Sequence, residues 1–249
     1  GIVNGDDFQI IYSDTPGILK PSYKLQETML KFVDTALIDA DVVLFVTDVV
    51  EKPGKNADYI QRIGKSNVPV IVLINKIDLS DQEEVLKLFD YWSSVFPGAD
   101  VFPISAQEKF NIDPIFNRIL ELLPEGPPFF SKDQFTDRND RFFMQEIIRE
   151  KILLNFEKEI PYSVEVVVEE FKEHQNIINI KAVINVIRDS QKGIIIGKSG
   201  RMIKKIGSEA RVVAEEFFGK KVFLELFVKV AKDWRDKERQ LKQFGYDAF

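Results

Sequence analysis

Short apolar runs and longer amphipathic stretches take turns along the first half of the chain. Residues 8–13, 42–48, 68–75 and 101–104 are rich in apolar residues, mainly Val, Ile and Phe, and are too short for packed helices. They read as buried strands. Between them, residues 25–39, 55–65, 81–96 and 110–122 repeat apolar positions every three to four residues, as helices with one buried face do. This β-α-β alternation predicts a mostly parallel, doubly wound α/β sheet with helices on both faces. Such sheets hold their ligands at the carboxyl ends of the strands.

The pattern changes after Leu123-Pro124-Glu125-Gly126-Pro127-Pro128, where three prolines and a glycine preclude helix and favour extended chain. The reading is therefore one domain over 1–122, a linker over 123–131, and a second domain over 132–249. In the second, residues 141–157 form an amphipathic helix with Phe142, Phe143, Ile147, Ile148 and Leu154 on its apolar face. Residues 162–171 alternate, with Val164, Val166 and Val168 toward a core and Glu165 and Glu169 toward solvent. A second strand over 177–187, two helices, and a strand over 221–230 complete an α+β unit.

Composition narrows the chemistry. The 249 residues include 34 Lys+Arg and 40 Asp+Glu, a net charge of −6, with no Cys and one His. That excludes a disulfide scaffold, thiol catalysis and the usual zinc sites. No apolar run approaches the about 20 residues of a membrane-spanning helix. The start, Gly1-Ile2-Val3-Asn4-Gly5, has no signal-peptide character, so the expectation is a cytoplasmic protein. The net charge conceals an asymmetry: residues 1–122 have 11 Lys+Arg against 19 Asp+Glu, a net of −8, and residues 123–249 have 23 against 21, a net of +2. Residues 188–211 alone have seven against two, a net of +5, which is the local concentration that phosphate recognition requires.

Three strand ends in the first half carry residues suited to a nucleotide. Asp14-Thr15-Pro16-Gly17 follows the first strand; a carboxylate there can hold hydrated Mg²⁺, and the glycine lets a backbone N–H approach a terminal phosphate. An ordinary strand-to-turn exit uses the same residue types. Asn75-Lys76-Ile77-Asp78 follows the third strand. The Asp78 carboxylate can accept from guanine N1–H and its 2-amino group, which adenine cannot match, and the Lys76 stem can lie over a purine ring. The plainer reading makes Asp78 or Ser80 a helix N-cap. Ser105-Ala106-Gln107 ends the fourth strand, where a tight turn can aim a backbone N–H at guanine O6, or Ser105 can cap the next helix. Their order and spacing together favour the nucleotide reading.

In the second half, Gly197-Lys198-Ser199-Gly200 stands between two helices. Glycines three apart permit a tight turn that a nucleic-acid backbone can approach, with Lys198 adding charge. Arg201, Lys204 and Lys205 follow it, and Ile194, Ile195, Ile196, Ile203 and Ile206 are expected to wall a groove for bases. A helix C-cap with a solvated basic face is the alternative.

The first half resembles the translation-factor-like GTPases, with 14–17, 75–78 and 105–106 matching that family's third, fourth and fifth motifs. The second half resembles a type II KH domain. Together, with Ile18 after Gly17 and the tail 228–246, the chain is similar to the bacterial Era GTPases. The resemblance implies a P-loop-GTPase-like α/β domain followed by an α+β KH domain, with GTP/GDP and Mg²⁺ as ligands. It implies nucleotide contacts by Asp14, Thr15, Pro16, Gly17, Ile18, Asn75, Lys76, Ile77, Asp78, Ser105 and Ala106, with Asp14 toward the metal. It implies RNA contacts by Ile194, Ile196, Gly197, Lys198, Ser199, Gly200, Arg201, Lys204 and Lys205. The implied partners are the 3′ region of 16S rRNA and the 30S ribosomal subunit during its maturation, with peripheral association at the inner membrane.

One departure matters: no G-x-x-x-x-G-K-[ST] occurs in the sequence. The near misses at Gly64-Lys65-Ser66 and Gly197-Lys198-Ser199 have the wrong spacing or leading residue. The expectation is that the motif belongs to a segment upstream of Gly1, and that the 249 residues by themselves hold nucleotide weakly. Ile18 also stands where Ras-like enzymes carry a water-orienting Gln, so no catalytic base is assigned. Two other readings remain open. One is a non-enzymatic RNA-binding module whose first half is a scaffold. The other, a metabolic enzyme with this fold, is poorly served by a lone His174 in a polar turn.

Overall fold

The structure is a computed structural model that describes residues 1–18, 21–51, 54 and 57–246. The beginning of the helix expected at 55 and the last residues, 247–249, lie outside them. The chain divides into two compact units, one built from Gly1–Ser22 and Gln26–Phe135, the other chiefly from Thr136 onward.

The first unit centres on a three-stranded parallel sheet in the order β3 (Val43–Asp48), β4 (Val70–Asn75), β5 (Asp100–Pro103). Its middle strand explains why the run at 68–75 is apolar at nearly every position. Ile71 and Leu73 face one layer, with Ile104 and with Ile115 and Ile119 of α4 (Asp113–Leu122). Val72 and Ile74 face the other, with Val43, Ile63 of α2 (Ala57–Gly64), and Trp92 and Phe96 at the end of α3 (Gln82–Val95). A strand covered on both faces has no polar side to show. A further helix, α1, spans Lys24–Asp39.

The segment expected as a strand of that sheet, residues 8–13, behaves differently. Only Gln9–Ile11 (β2) is extended, and it pairs antiparallel with Ile2–Asn4 (β1), in register Val3↔Ile10. Ile10 still buries itself in the core shared by Ile71 and Leu73. Periodicity reports which face of a strand is buried and is silent on which neighbour completes its ladder. The proline-rich segment after α4 is held against this hairpin: the Gln9 amide bonds Phe130 on both N–H and C=O, and Ile2 N–H donates to Phe135 O at 2.9 Å.

The second unit is α5 (Asp140–Asn155), β6 (Glu165–Glu173), β7 (Ile177–Val186), α6 (Asp189–Ile196), α7 (Arg201–Phe218) and β8 (Lys221–Val230), with a short α8 (Glu238–Gln243). The sheet order is β6-β7-β8, with β6 antiparallel and β8 parallel to β7. Asn139 caps α5 by accepting from Phe142 N–H, and Met144, Ile148 and Ile152, four apart, form its fully buried stripe. On α7 the matching stripe is Ile206, Ala210 and Ala214, small enough to bring the helix close to the sheet.

Glu165 overturns the simple alternation read for β6. It is only 9% exposed, and its Oε2 accepts from the Tyr246 hydroxyl at 2.8 Å. The tail accounts for this. Trp234, buried against Phe244 and Tyr246, folds the last residues over the start of β6, so a position that the strand turns outward is roofed by chain 81 residues away.

Candidate nucleotide and nucleic-acid sites

At the carboxyl ends of β4 and β5 two loops are joined side chain to backbone. Asn75 Oδ1 accepts from its neighbour Lys76 N–H at 2.8 Å and from Ala106 N–H at 3.0 Å. Ser105, 1% exposed, donates through Oγ to Asp78 Oδ1 at 2.5 Å and accepts from Glu108 N–H at 3.1 Å. Backbone bonds from Ile104 N–H to Ile74 O and from Ile77 N–H to Ile104 O keep the two loops in step. The helix-capping alternatives do not hold. Asp81 is the N-cap of α3, accepting from Glu84 N–H at 2.9 Å, and Ser105 closes its own turn well before α4.

Asp78 therefore sits in a short 3-10 turn, Ile77–Leu79, exposed, with one oxygen steadied by Ser105. Its Oδ2 and the remaining lone pair of Oδ1 can accept two parallel N–H donors, the pattern guanine presents. Ala106 N–H is already engaged by Asn75; the donor of this turn without a partner among the described residues is Gln107 N–H. The sequence showed a turn here without showing which amide it leaves open.

Asp14, Thr15 and Gly17 are exposed and in irregular chain just after β2, and among the described residues no hydrogen bond joins Asp14, Thr15, Pro16 or Gly17 to 75–78 or 105–106. Ile18 packs against the core beside Val43 and Trp92. A residue the sequence did not single out stands nearer the base loop. Asp48, ending β3, pairs with Lys76 Nζ at 2.5 Å, and its carboxyl is held below its usual range chiefly by that bond. A carboxylate at a strand terminus was the available signal.

In the second unit, α6 and α7 are joined through Gly197 (φ 70°, ψ 174°), Ser199 (φ 52°, ψ 33°) and Gly200 (φ 75°, ψ 12°). A Cβ on Gly197 would lie 2.7 Å from Met202 Cγ, so the loop closes on its own helix at that position, whereas Gly200 faces open space. No side chain caps α7, and Arg201 N–H is taken by Lys198 O; the positive end of the dipole of this 18-residue helix lies beside the loop, where it favours anions. Among the described residues, Lys198, Arg201 and Lys204 are exposed without an ion pair, while Lys205 lies 3.7 Å from Glu209.

The expected groove wall needs correction. Ile195 and Ile206 are fully buried in the core; Ile196 and Ile203 border it, and Ile194 is 47% exposed. Five isoleucines at helical spacing cannot all face one groove, and the two whose Cβ atoms point at the sheet are core.

Family profiles match both halves. Residues 3–125 match the elongation factor Tu GTP binding domain, and residues 159–235 match a KH domain. The GTPase Era of Syntrophus aciditrophicus is 44% identical over 250 aligned residues, covering 99% of this chain and 82% of that protein. The GTPase Era of Clostridium kluyveri is 41% identical over 247 residues, covering 98% and 84%. A solved structure of Era in complex with MgGDPNP and nucleotides 1506–1542 of 16S ribosomal RNA is 39% identical, with a TM-score of 0.93 over 99% of this chain and 85% of that one. The likeness in sequence extends over nearly the whole chain and both units, and on that basis the chain belongs to the Era GTPase family.

Proposed function

We propose that this chain binds guanine nucleotide at the loops ending β4 and β5, and a single-stranded 3′-terminal segment of 16S rRNA at the loop between α6 and α7. Its task is the maturation of the small ribosomal subunit, which is work for the cytoplasm. The observation that carries the nucleotide half is the bonded set Asn75, Lys76, Asp78, Ser105 and Ala106, which fixes a carboxylate for the base before any ligand arrives. For the RNA half it is the 197–200 turn, with three exposed cations around it that have no ion pair among the described residues. Such a turn clamps about four nucleotides of backbone while bases rest on Ile196 and Ile203.

Mg²⁺ fits the residues present. Asp14, exposed and unpartnered among the described residues, would hold the ion together with water and phosphate oxygens, and the ion would supply positive charge against the charge of the phosphates. Among the described residues there is no cluster of three carboxylates or imidazoles that would suggest a different metal. What the chain itself contributes to hydrolysis in this reading is orientation of the nucleotide through its base and a backbone amide at Gly17 for the terminal phosphate. No helix among the described residues is long and apolar enough to cross a membrane; association with a bilayer would be peripheral.

The test is a titration of the 249-residue protein with GDP and XDP, repeated with Asp78→Asn. Exchanging a carboxylate oxygen for an amide donor is expected to move preference from guanine toward xanthine; an unaltered preference would overturn the base site. A second reading is an RNA-binding module whose first half serves as a scaffold. A GTPase assay with and without the rRNA segment separates the two, since only the first predicts turnover.

A further inference from the structure

We propose that Asp48 is a positioning residue for the base site: it holds the Lys76 side chain in place as one wall of that site before nucleotide binds. This rests on the nucleotide reading given above.

Asp48 is fixed from two sides. Its Oδ1 accepts from Val50 N–H at 2.9 Å and from Glu51 N–H at 2.8 Å, which sets the carboxylate plane and leaves Oδ2 as the free acceptor. That oxygen takes Lys76 Nζ at 2.5 Å. The strand register makes the arrangement geometrically direct, because Asp48 lies opposite Asn75 in the parallel β3–β4 pair and Lys76 is the next residue along. At its other end Lys76 is equally constrained. Its N–H is bound by Asn75 Oδ1, and its backbone is left-handed (φ 61°, ψ 31°), a conformation uncommon outside glycine and asparagine. The four-carbon stem is thus tethered at the backbone and at the ammonium, running across the strand ends two residues from Asp78.

An isolated surface ion pair of this kind contributes little to stability. Here it removes freedom from the one long side chain that a bound purine would otherwise have to order, and rigidity of that sort appears as affinity. The pair also neutralises the ammonium locally, so that the stem presents an apolar surface to the flat face of the base. Neither Asp48 nor its position was singled out by the sequence, because its partner is 28 residues away.

The experiment is GDP affinity by calorimetry at millimolar ligand, using the whole 249-residue protein. The variants are Asp48→Asn, Lys76→Met and the double variant, each with a thermal melt. The Asp48→Asn amide still offers Oδ1 to Val50 and Glu51 but lacks the charge for Nζ; the Lys76→Met side chain keeps an apolar stem without the ammonium. Asp48→Asn is expected to weaken GDP about fivefold to tenfold in the parent and by less than twofold in the Lys76→Met background, although any loss of melting temperature should be equal in both. An equal loss of affinity in both backgrounds, or none in the parent, overturns the positioning role. A parent that shows no binding at millimolar GDP overturns the base-site reading and this proposal with it. A parent that binds, shifts toward XDP with Asp78→Asn, and yet ignores Asp48→Asn overturns this proposal alone.

Discussion

Ser105 Oγ lies 2.5 Å from Asp78 Oδ1, a bond between residues 27 apart that fixes the direction of an otherwise exposed carboxylate. It is a charge-assisted hydrogen bond from a buried donor, the stronger class of such contacts. Ser105→Ala fits the same space and removes it, and also takes the acceptor from Glu108 N–H. GDP affinity is expected to fall about tenfold, or about 1.4 kcal/mol, with XDP affinity still lower than GDP. Calorimetric titration checks this; equal GDP affinity in parent and variant would show that Asp78 needs no support.

The cations near the 197–200 loop are not equivalent. Lys204 is exposed with no ion pair among the described residues, whereas Lys205 is within 3.7 Å of Glu209. Each phosphate neutralised on a single strand adds about 0.7 to the slope of log affinity against log salt. Lys204→Ala is expected to flatten that slope by about 0.7 for a single-stranded rRNA segment, and Lys205→Ala by clearly less. Fluorescence anisotropy at several salt concentrations measures both slopes, and identical changes would count against the distinction.

The two loop glycines should respond differently to alanine. Gly197 has backbone angles that are close to glycine-only, and an added Cβ meets Met202 at 2.7 Å; Gly200 is left-handed but unobstructed. Gly200→Ala is expected to cost about 1 kcal/mol and Gly197→Ala about 2–3 kcal/mol or more. Urea denaturation followed through the second unit gives both numbers. To abolish RNA binding while sparing the fold, Lys198→Asp with Ser199→Asp is the better variant, because Asp tolerates the left-handed angles of Ser199.

Burial raises the Glu165 carboxyl to about 7 from its usual value of 4.5, only partly offset by the Tyr246 hydroxyl and the Arg149 charge. A folded-state acid with a raised pKa binds more protons than the unfolded chain between those two values, so stability falls as pH rises through that window and levels off above it. The loss from this group is about 3 kcal/mol from pH 4.5 to pH 7. Glu165→Gln keeps an acceptor for Tyr246 and has no proton to lose. It is expected to be more stable than the parent at pH 8 and to flatten the decline between about pH 5 and 8 in thermal melts.

Which parts of this molecule were legible in the chain follows from what is local. The strands at 42–48 and 68–75, the helix pair around Gly197–Gly200, and the strand at 221–230 are written in apolar periodicity and glycine placement, both set within a few residues. The loops at 75–78 and 105–106 were legible as strand-end turns for the same reason, since each follows a strand of the parallel sheet. The antiparallel pairing of β2 with β1, the roofing of Glu165 by Tyr246, the division of five isoleucines between core and surface, and the Asp48–Lys76 pair are products of long-range packing. Each depends on which distant segment fills the space beside a residue, and a side-chain pattern fixes the buried face without naming what buries it. Local sequence thus settles the elements of two units, while packing settles how the carboxylates and lysines at their strand and helix ends are held.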